Sequence, residues 1–301
     1  ILSGGGDRTA RLWSADSGQC LLTMTGVGKK FVHSAAFAPS SRSPIAGVDD
    51  DSATVWRAGS VRCAATLEGH AGTLWSAAFA PDGRSVVTGS EDRTAKLWDT
   101  ASGECVWTLS GHSQVVWAAA FAPDGRSIVT ASTDATAKIW SVEGRALLHT
   151  LKGHRGIVVS AAFSPDSCSV VTGSGDGTAK VWETEQGECT QTLDGHLVPG
   201  VRSMVVSAAF APDGRSIVTG STDRTARVWT TGQGHCLVTL AGHSKTVCWA
   251  RFSADSQLIV TGAEDQLAKV WQAGTGQCLL TLVGHRLGVC SASFAPDGRA
   301  V

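Results

Sequence analysis

One tryptophan recurs along this chain at nearly constant intervals, and this period constrains the fold more than any other feature. The intervals are 43, 42, 42, 42, 47 and 42 residues, between Trp13, Trp56, Trp98, Trp140, Trp182, Trp229 and Trp271. Such self-similarity is typical of repeat architectures, in which each unit needs its neighbours to bury its apolar face. A length of 301 residues would otherwise suggest two domains, but the repeat predicts one domain over 1–301.

The text within each unit indicates β-strands. Residues 69–98 read GHAGTLWSAAFAPDGRSVVTGSEDRTAKLW, and residues 111–140 and 153–182 repeat this text closely. Short apolar runs rich in Val, Ile, Thr and Trp alternate with Pro-Asp-Gly or Gly-Ser-x-Asp turn signals, and no helical period is sustained. In the unit of residues 69–98 and its continuation we expect four strands: one ending at Phe79, then 85–88, 94–98 and 104–109.

The order of these signals resembles that of the WD-repeat β-propellers over essentially the whole chain. Gly-His, Pro-Asp-Gly and an Asp followed six residues later by Trp recur in register. The resemblance implies an all-β, seven-bladed β-propeller of four-stranded antiparallel blades. A single four-stranded sheet is too small to be stable alone, and stacking the sheets in a ring buries their faces and hides most edges.

The two ends of the sequence each hold part of one unit. The segment after Trp271 and the segment up to Trp13 together amount to one repeat. We therefore expect a closing blade shared between the N- and C-terminal segments, joined inside its second strand. A join at that place is less common in the family, and the sequence does not begin with Met, so a fragment of a longer chain stays open as an interpretation.

Four positions in each of six units match residues that form a buried hydrogen-bonded chain in WD-repeat proteins. That chain runs from a Trp indole through a Thr or Ser hydroxyl and a His imidazole to an Asp carboxylate. The resemblance assigns this structural role to His70, Thr88, Asp92 and Trp98; His112, Thr130, Asp134 and Trp140; His154, Thr172, Asp176 and Trp182; His196, Thr219, Asp223 and Trp229; His243, Thr261, Asp265 and Trp271; and, across the join, His285, Ser3, Asp7 and Trp13.

A hydroxyl, an imidazole and a carboxylate could also act as a nucleophilic relay. Catalysis needs one exposed nucleophile, a substrate cleft and an oxyanion site, whereas this set occurs six times. We therefore predict no catalytic residue and no enzymatic activity. The unit around Trp56 has Val27 and Ala46 where His and Thr are expected, which predicts the least rigid blade.

Composition excludes several classes of protein. With 43% hydrophobic residues, 17% charged residues and a net charge of −1, the chain is globular and has no clustered positive charge for nucleic acid or anionic membranes. It has no apolar stretch long enough to span a bilayer and no signal-peptide pattern at its start. We expect an intracellular, cytoplasmic protein, with the nucleus left open.

The chain has nine cysteines, which could form disulfides or bind zinc. Six of them lie seven residues after a repeat tryptophan, at Cys20, Cys63, Cys105, Cys189, Cys236 and Cys278, so that equivalent copies lie a blade apart. No Cys-x-x-Cys pair occurs, and a structural zinc site needs four converging ligands. This spacing predicts buried free thiols, no metal site and no cofactor.

Function is expected where the repeats differ. In propellers of this family, partners often dock on the narrow face around the central channel, near the start of each inner strand and the residue before the turn Asp. These positions supply the candidate partner-binding residues Trp75, Glu91, Trp117, Val159, Met204, Val206 and Glu264, and a neighbouring insertion supplies Arg202. The sequence leaves open whether the apolar ones form an exposed crescent or fill the core. Arg202 lies in a five-residue insertion, interpreted either as a tolerated loop or as a loop that touches the partner.

The leading hypothesis is a non-catalytic protein–protein interaction scaffold. It would be a monomeric propeller that binds a protein or peptide on its narrow face within a multiprotein assembly. Two alternatives are the sensor or regulatory repeat domain of a larger signalling NTPase, and the substrate receptor of a ubiquitin ligase. The last is disfavoured because the family's adaptor signature, Asp-x-Arg after the Trp, is reduced to Trp98-Asp99 followed by Thr100-Ala101.

Overall fold

The computed structural model describes residues 63–196, 203–284 and 287–294, and before them the strands that lie between residues 2 and 56. Within these parts of the chain every regular element is a β-strand. The strands form six four-stranded antiparallel sheets and one three-stranded sheet. The prediction of an all-β fold with seven blades is thereby confirmed.

Consecutive strands pair within each sheet, so every blade is a meander. We number the blades in chain order and call the first strand of a four-stranded blade its inner strand and the last its outer strand. Blade 1 contains β1 (Leu2–Gly4), β2 (Ala10–Trp13) and β3 (Cys20–Met24). Blade 2 contains β4 (Val32–Phe37), β5 (Pro44–Val48), β6 (Ser52–Trp56) and β7 (Cys63–Glu68). Blade 3 contains β8 (Leu74–Phe79), β9 (Ser85–Ser90), β10 (Thr94–Asp99) and β11 (Cys105–Ser110).

The other four blades follow the same plan. Blade 4 contains β12 (Val116–Phe121), β13 (Ser127–Ser132), β14 (Thr136–Ser141) and β15 (Ala146–Lys152). Blade 5 contains β16 (Val158–Phe163), β17 (Ser169–Ser174), β18 (Ala179–Glu183) and β19 (Cys189–Leu193). Blade 6 contains β20 (Val205–Phe210), β21 (Ser216–Ser221), β22 (Thr225–Thr230) and β23 (Cys236–Ala241). Blade 7 contains β24 (Val247–Phe252), β25 (Leu258–Ala263), β26 (Leu267–Gln272) and β27 (Cys278–Val283).

The core lies between blades rather than within one. The inner strands of blades 2 to 7 neighbour one another in chain order, and β1 neighbours β4. Between blades 3 and 4, for example, Val87 and Leu97 pack with Val116 and Ile128. Burial of this apolar surface is the main stabilising contribution, at about 25 cal/mol per Å². It requires the stacking that a lone four-stranded sheet lacks.

Tight turns join the inner strand to the second strand. In blade 3 the amide of Gly83 donates to the carbonyl of Ala80 at 2.9 Å, and Asp82 Oδ1 accepts the amide of Arg84 at 2.9 Å. Gly83 has a φ of 71°, a left-handed conformation that explains the recurring Pro-Asp-Gly.

The Gly-His signature has a packing reason as well. Gly242 has a φ of +152°, and a Cβ built on it would lie 3.2 Å from a ring carbon of Trp271. A side chain at this position would therefore be strained and would crowd the buried indole.

Residues 287–294 lie beside blade 7 where a further inner strand would lie. The amide of Val289 donates to the carbonyl of Ala263 at 2.9 Å. A Cβ built on Gly262 would lie 3.0 Å from the Val289 carbonyl oxygen, just as one on Gly220 would lie 2.9 Å from that of Val247. No pairing of this segment with β1 is among the strand pairs that the structure describes. The shared closing blade therefore stays a prediction.

Across the described ranges, no helix is long and apolar enough to cross a bilayer.

Candidate functional site

The first candidate arrangement is the set of buried His, Thr, Asp and Trp side chains. In blade 3 the Trp98 indole N–H donates to Thr88 Oγ1 at 2.8 Å. His70 Nε2 lies 2.8 Å from the same hydroxyl, and His70 Nδ1 lies 2.7 Å from Asp92 Oδ2. The structure thus brings the four side chains of blade 3 into one continuous hydrogen-bonded chain.

The same chain forms in five blades with nearly constant geometry. The Trp–Thr distances are 2.8–2.9 Å, the His–Thr distances 2.7–2.8 Å and the His–Asp distances 2.7–2.9 Å. Of the sixth set, Asp7 and His285 lie outside the described residues, as do the side chains of Ser3 and Trp13. Val27, in the unit predicted to be the least rigid, also lies outside them.

The donor and the acceptor of each Thr–His–Asp hydrogen bond follow from which atoms carry protons. The carboxylate only accepts, so His Nδ1 carries the proton, and His Nε2 accepts the Thr hydroxyl proton. This is also the polarity of a catalytic relay. However, the five hydroxyls, those of Thr88, Thr130, Thr172, Thr219 and Thr261, have an exposure of 0%. They are therefore shielded from solvent, and a fully satisfied buried network of this kind rigidifies a fold.

Burial keeps several of these imidazoles neutral. It lowers the pKa of His112, His196 and His243, because the imidazolium would lose hydration, and this outweighs the attraction of the partner carboxylate. Burial alone would raise the pKa of Asp223, but the hydrogen bonds that it accepts from His196 and Thr225 outweigh burial and lower that pKa to about 2. The neutral imidazole and the ionised carboxylate are thus the native forms.

A second arrangement surrounds the start of each inner strand. In blade 3, Leu74 pairs with Ser90 and Ser76 with Gly89, which leaves Trp75 as the extra residue of a β-bulge. The same irregularity occurs in all six inner strands, with the extra residues His33, Trp75, Trp117, Val159, Val206 and Cys248. Bulges re-aim side chains and are common next to functional sites.

The turn before each network Asp is tied to the entry of the inner strand by a backbone hydrogen bond. The amide of Glu91 donates to the carbonyl of Thr73 at 2.9 Å, and that of Glu264 to Thr246 at 3.0 Å. Equivalent bonds join Thr133 to Val115, Gly175 to Ile157 and Thr222 to Met204. We call these turn and entry residues, together with the bulged residues of blades 3 to 7, the inner rim.

The aromatic part of the inner rim is Trp75 and Trp117. Their ring centroids lie 4.3 Å apart with an interplanar angle of 47°, and both side chains are partly buried. The Trp117 indole N–H donates to Thr133 Oγ1 at 2.7 Å. The two rings therefore support each other, and Trp117 is also oriented by a hydrogen bond.

The remaining candidates complete an arc along the rim. Val159, Met204 and Val206 are partly buried. The amide of Met204 donates to Thr222 Oγ1 at 2.8 Å. Glu91 and Glu264 are exposed. Arg202 lies outside the described residues.

The expected burial of the cysteines is wrong. Cys105, Cys189, Cys236 and Cys278 are exposed, free thiols, while the side chains of Cys20 and Cys63 lie outside the described residues. The reason is that they open the outer strand, which is the free edge of its sheet and buries only its later residues. Among the described side chains, no group of three or more His, Cys, Asp and Glu is arranged to hold a metal ion.

Sequence reasoning missed two features. The bulges hold Trp, Val, Cys and His, so no residue type marks them. Arg251 stands where the other described inner strands carry Ala, and aligning the units would have found it.

Comparison with known proteins adds two findings. A family model described as WD domain, G-beta repeat, matches residues 61–99, 103–141, 145–183, 187–230, 234–272 and 276–301. The protein named Protein tipD, from Dictyostelium discoideum, is 33% identical over 76 residues. That match spans 25% of this chain and only 12% of the length of tipD. In the structure, the stretch 103–141 contains outer strand β11 of blade 3 and three strands of blade 4, so one repeat links two blades.

Proposed function

Because this chain belongs to the WD40 repeat family, whose repeats generally mediate protein–protein interaction, we propose that it is a non-catalytic scaffold that binds a protein or peptide through its inner rim. The observation that carries the proposal is the pair of partly exposed tryptophans, Trp75 and Trp117, on consecutive bulges. Of the six bulged positions, only these two hold Trp.

Tryptophan suits this role for physical reasons. Trp and Tyr are enriched among the residues that dominate binding energy, because they bury a large area with few rotatable bonds. Here the rings are held by each other and by Thr133, so little side-chain entropy is lost on binding. The arc continues over Val159, Val206 and Met204, which widens the apolar area available to a partner.

The scaffold beneath the rim supports recognition. Each rim turn leads directly into a network Asp, and Asp92 accepts the amide of Thr94 at 2.9 Å and its hydroxyl at 2.6 Å. A site supported by locked side chains holds its geometry better than one on a free loop. The exposed carboxylates of Glu91 and Glu264 add negative charge to the rim and favour a partner segment that carries basic residues beside apolar ones.

The test replaces both tryptophans by the residue found at the equivalent bulges of blades 5 and 6. The variant Trp75→Val, Trp117→Val introduces a β-branched residue that the scaffold already accommodates at the equivalent positions, Val159 and Val206. Affinity capture from cells followed by quantitative mass spectrometry would compare it with the wild type. We expect the specific partners to fall by about tenfold or more, the loss typical of a hot-spot residue.

A matched control removes apolar side chains from another surface. Leu147 and Leu148 on outer strand β15 are 44% and 48% exposed, so Leu147→Ala, Leu148→Ala tests for a general loss of surface apolarity. A photo-crosslinker at Glu91 should capture the same partners, and one at Leu148 should not. Equal recovery by the wild type and the folded double-Val variant would refute binding through the rim.

A further inference from the structure

One position of the inner strand holds a small residue in five blades and a large, charged residue in one. The residue just before the terminal Phe is Ala36, Ala78, Ala120, Ala162, Ala209 or, in blade 7, Arg251. The residue two places earlier is also small in the other blades and is Trp249 in blade 7. Blade 7 therefore places a cation and an indole where its neighbours place Ala and Ser.

The contacts of Arg251 locate its guanidinium. Nη1 donates to the carbonyl of Ala250 at 2.8 Å and to Ser207 Oγ of blade 6 at 3.1 Å. The amide of Ala250 also donates to Ser207 Oγ, at 3.3 Å. Both backbone groups of Ala250 thus point away from β25, and the guanidinium lies along the free inner edge of β24. Its central carbon is 4.2 Å from the centroid of the Trp249 ring.

The charge of Arg251 is not neutralised within the described part of the chain. No carboxylate there forms an ion pair with it, and burial without a compensating charge lowers the pKa of Arg251 to about 10. Charged groups that lose part of their hydration on folding are normally paired with an opposite charge, because the lost hydration is otherwise not compensated. The stacked Trp249 ring supplies only part of that compensation.

The unused donors of Arg251 have a defined geometry. Within the described residues, Nε and Nη2 make no hydrogen bond, and Arg251 is only partly buried, so the side chain keeps some exposed surface. These two N–H groups form the planar fork with which guanidinium binds carboxylate or phosphate in a bidentate manner. Trp249 Nε1 is a further buried donor without an acceptor on the same strand.

We propose that the inner edge of blade 7 is a binding site for a small oxyanion, held by the Nε and Nη2 fork of Arg251. The anion completes the pairing that the guanidinium lacks. Ser207 and the Ala250 carbonyl hold Nη1 and so fix the orientation of the fork. The site lies on the strand edge below the rim and is independent of Trp75 and Trp117.

Isothermal titration calorimetry in a buffer free of oxyanions tests the proposal, with phosphate, sulfate and acetate as separate titrants. Sodium chloride keeps the ionic strength constant, so that general screening is the same in every arm. The wild type should show saturable binding with one or more of the three anions. Arg251→Ala, which introduces the residue present in blades 2 to 6, should weaken it by about tenfold or more.

Arg215→Ala is the matched control, because Arg215 is an exposed arginine of blade 6. It should bind as the wild type does. Absence of saturable binding to the wild type, or equal binding by a folded Arg251→Ala variant, would overturn the proposal. Should that variant not fold, the Arg251 Nε–H resonance of the wild type gives the answer, since it must shift on addition of the bound anion.

Discussion

Blade 4 contains two threonines, three residues apart, whose hydroxyls each accept a hydrogen bond from a tryptophan indole in different surroundings. Thr130 accepts the indole N–H of Trp140 at 2.9 Å, and Thr133 accepts that of Trp117 at 2.7 Å. Thr130 is fully buried and belongs to a set found in five blades. Thr133 is partly buried and lies on the inner rim, where it accepts its hydrogen bond from a bulged Trp.

The difference separates the scaffold from the surface it presents. Around Thr130 every donor has an acceptor, and the Trp–Thr distance stays between 2.8 and 2.9 Å in the five blades that form the network. Around the rim, the residue at the bulge changes from blade to blade while the backbone bulge stays. The constant interior therefore fixes a backbone on which the rim side chains are free to differ.

The comparison is tested most strongly at Thr130. Thr130→Val keeps the shape but leaves the Trp140 N–H without an acceptor and His112 Nε2 without a donor. Each buried unsatisfied group costs about 1–3 kcal/mol, so we expect a loss of about 2–4 kcal/mol in the free energy of unfolding. Urea unfolding monitored by tryptophan fluorescence measures it. A loss below about 0.5 kcal/mol would show that the network does not stabilise the blade.

Acidification should lower the free energy of unfolding through the same buried network. The pKa values of His112, His196 and His243 are lowered in the folded protein, so below about pH 6.5 the unfolded chain binds protons that the folded chain does not. The free energy of unfolding should therefore fall as the pH falls from 7.5 to 5.5. A second loss follows at lower pH, as Asp223 becomes protonated below about 3.8 in the unfolded chain but only near 2 in the folded one. Stability that rises on acidification over the first range would contradict the assignment of neutral imidazoles.

The fold was predictable from sequence because its signals are local and repeated. The strand expected at 85–88 is β9, which runs on to Ser90, and the one expected at 94–98 is β10, which runs on to Asp99. Turn residues and alternating apolar residues determine such strands without knowledge of distant contacts. The network positions came from the family resemblance, because nothing in the spacing alone shows that His70 meets Thr88.

The features that sequence did not predict depend on distant contacts. Cys105 was expected to be buried, but its exposure depends on which strand forms the free edge of the sheet. Trp75 and Trp117 are 42 residues apart in sequence, and only the stacking of consecutive blades puts their rings in contact. The lack of an ion pair at Arg251 likewise depends on how charges from distant units are placed.

At the inner rim we expect the equivalent substitution to cause a smaller loss of stability and a larger change in partner binding. Thr133→Val removes the acceptor of the Trp117 N–H, but this partly buried site can admit water in its place. We expect the free energy of unfolding to change by about 1 kcal/mol or less, with partner recovery reduced because Trp117 loses its fixed orientation. A loss as large as that of Thr130→Val would remove the distinction between interior and rim.

The smallest effect is expected at Ala135, the residue after the network Asp of blade 4. Ala135 has a φ of 63°, and the equivalent residue in blade 5 is Gly177, with a φ of 84°. A left-handed conformation costs a residue with a Cβ about 1 kcal/mol, so Ala135→Gly should raise the free energy of unfolding by up to about that amount. Gly177→Ala should lower it to a similar extent. Neither change touches a rim side chain, so partner recovery should stay at the wild-type level. A drop in binding for Ala135→Gly would mean that this turn is part of the recognition surface and not of the scaffold alone.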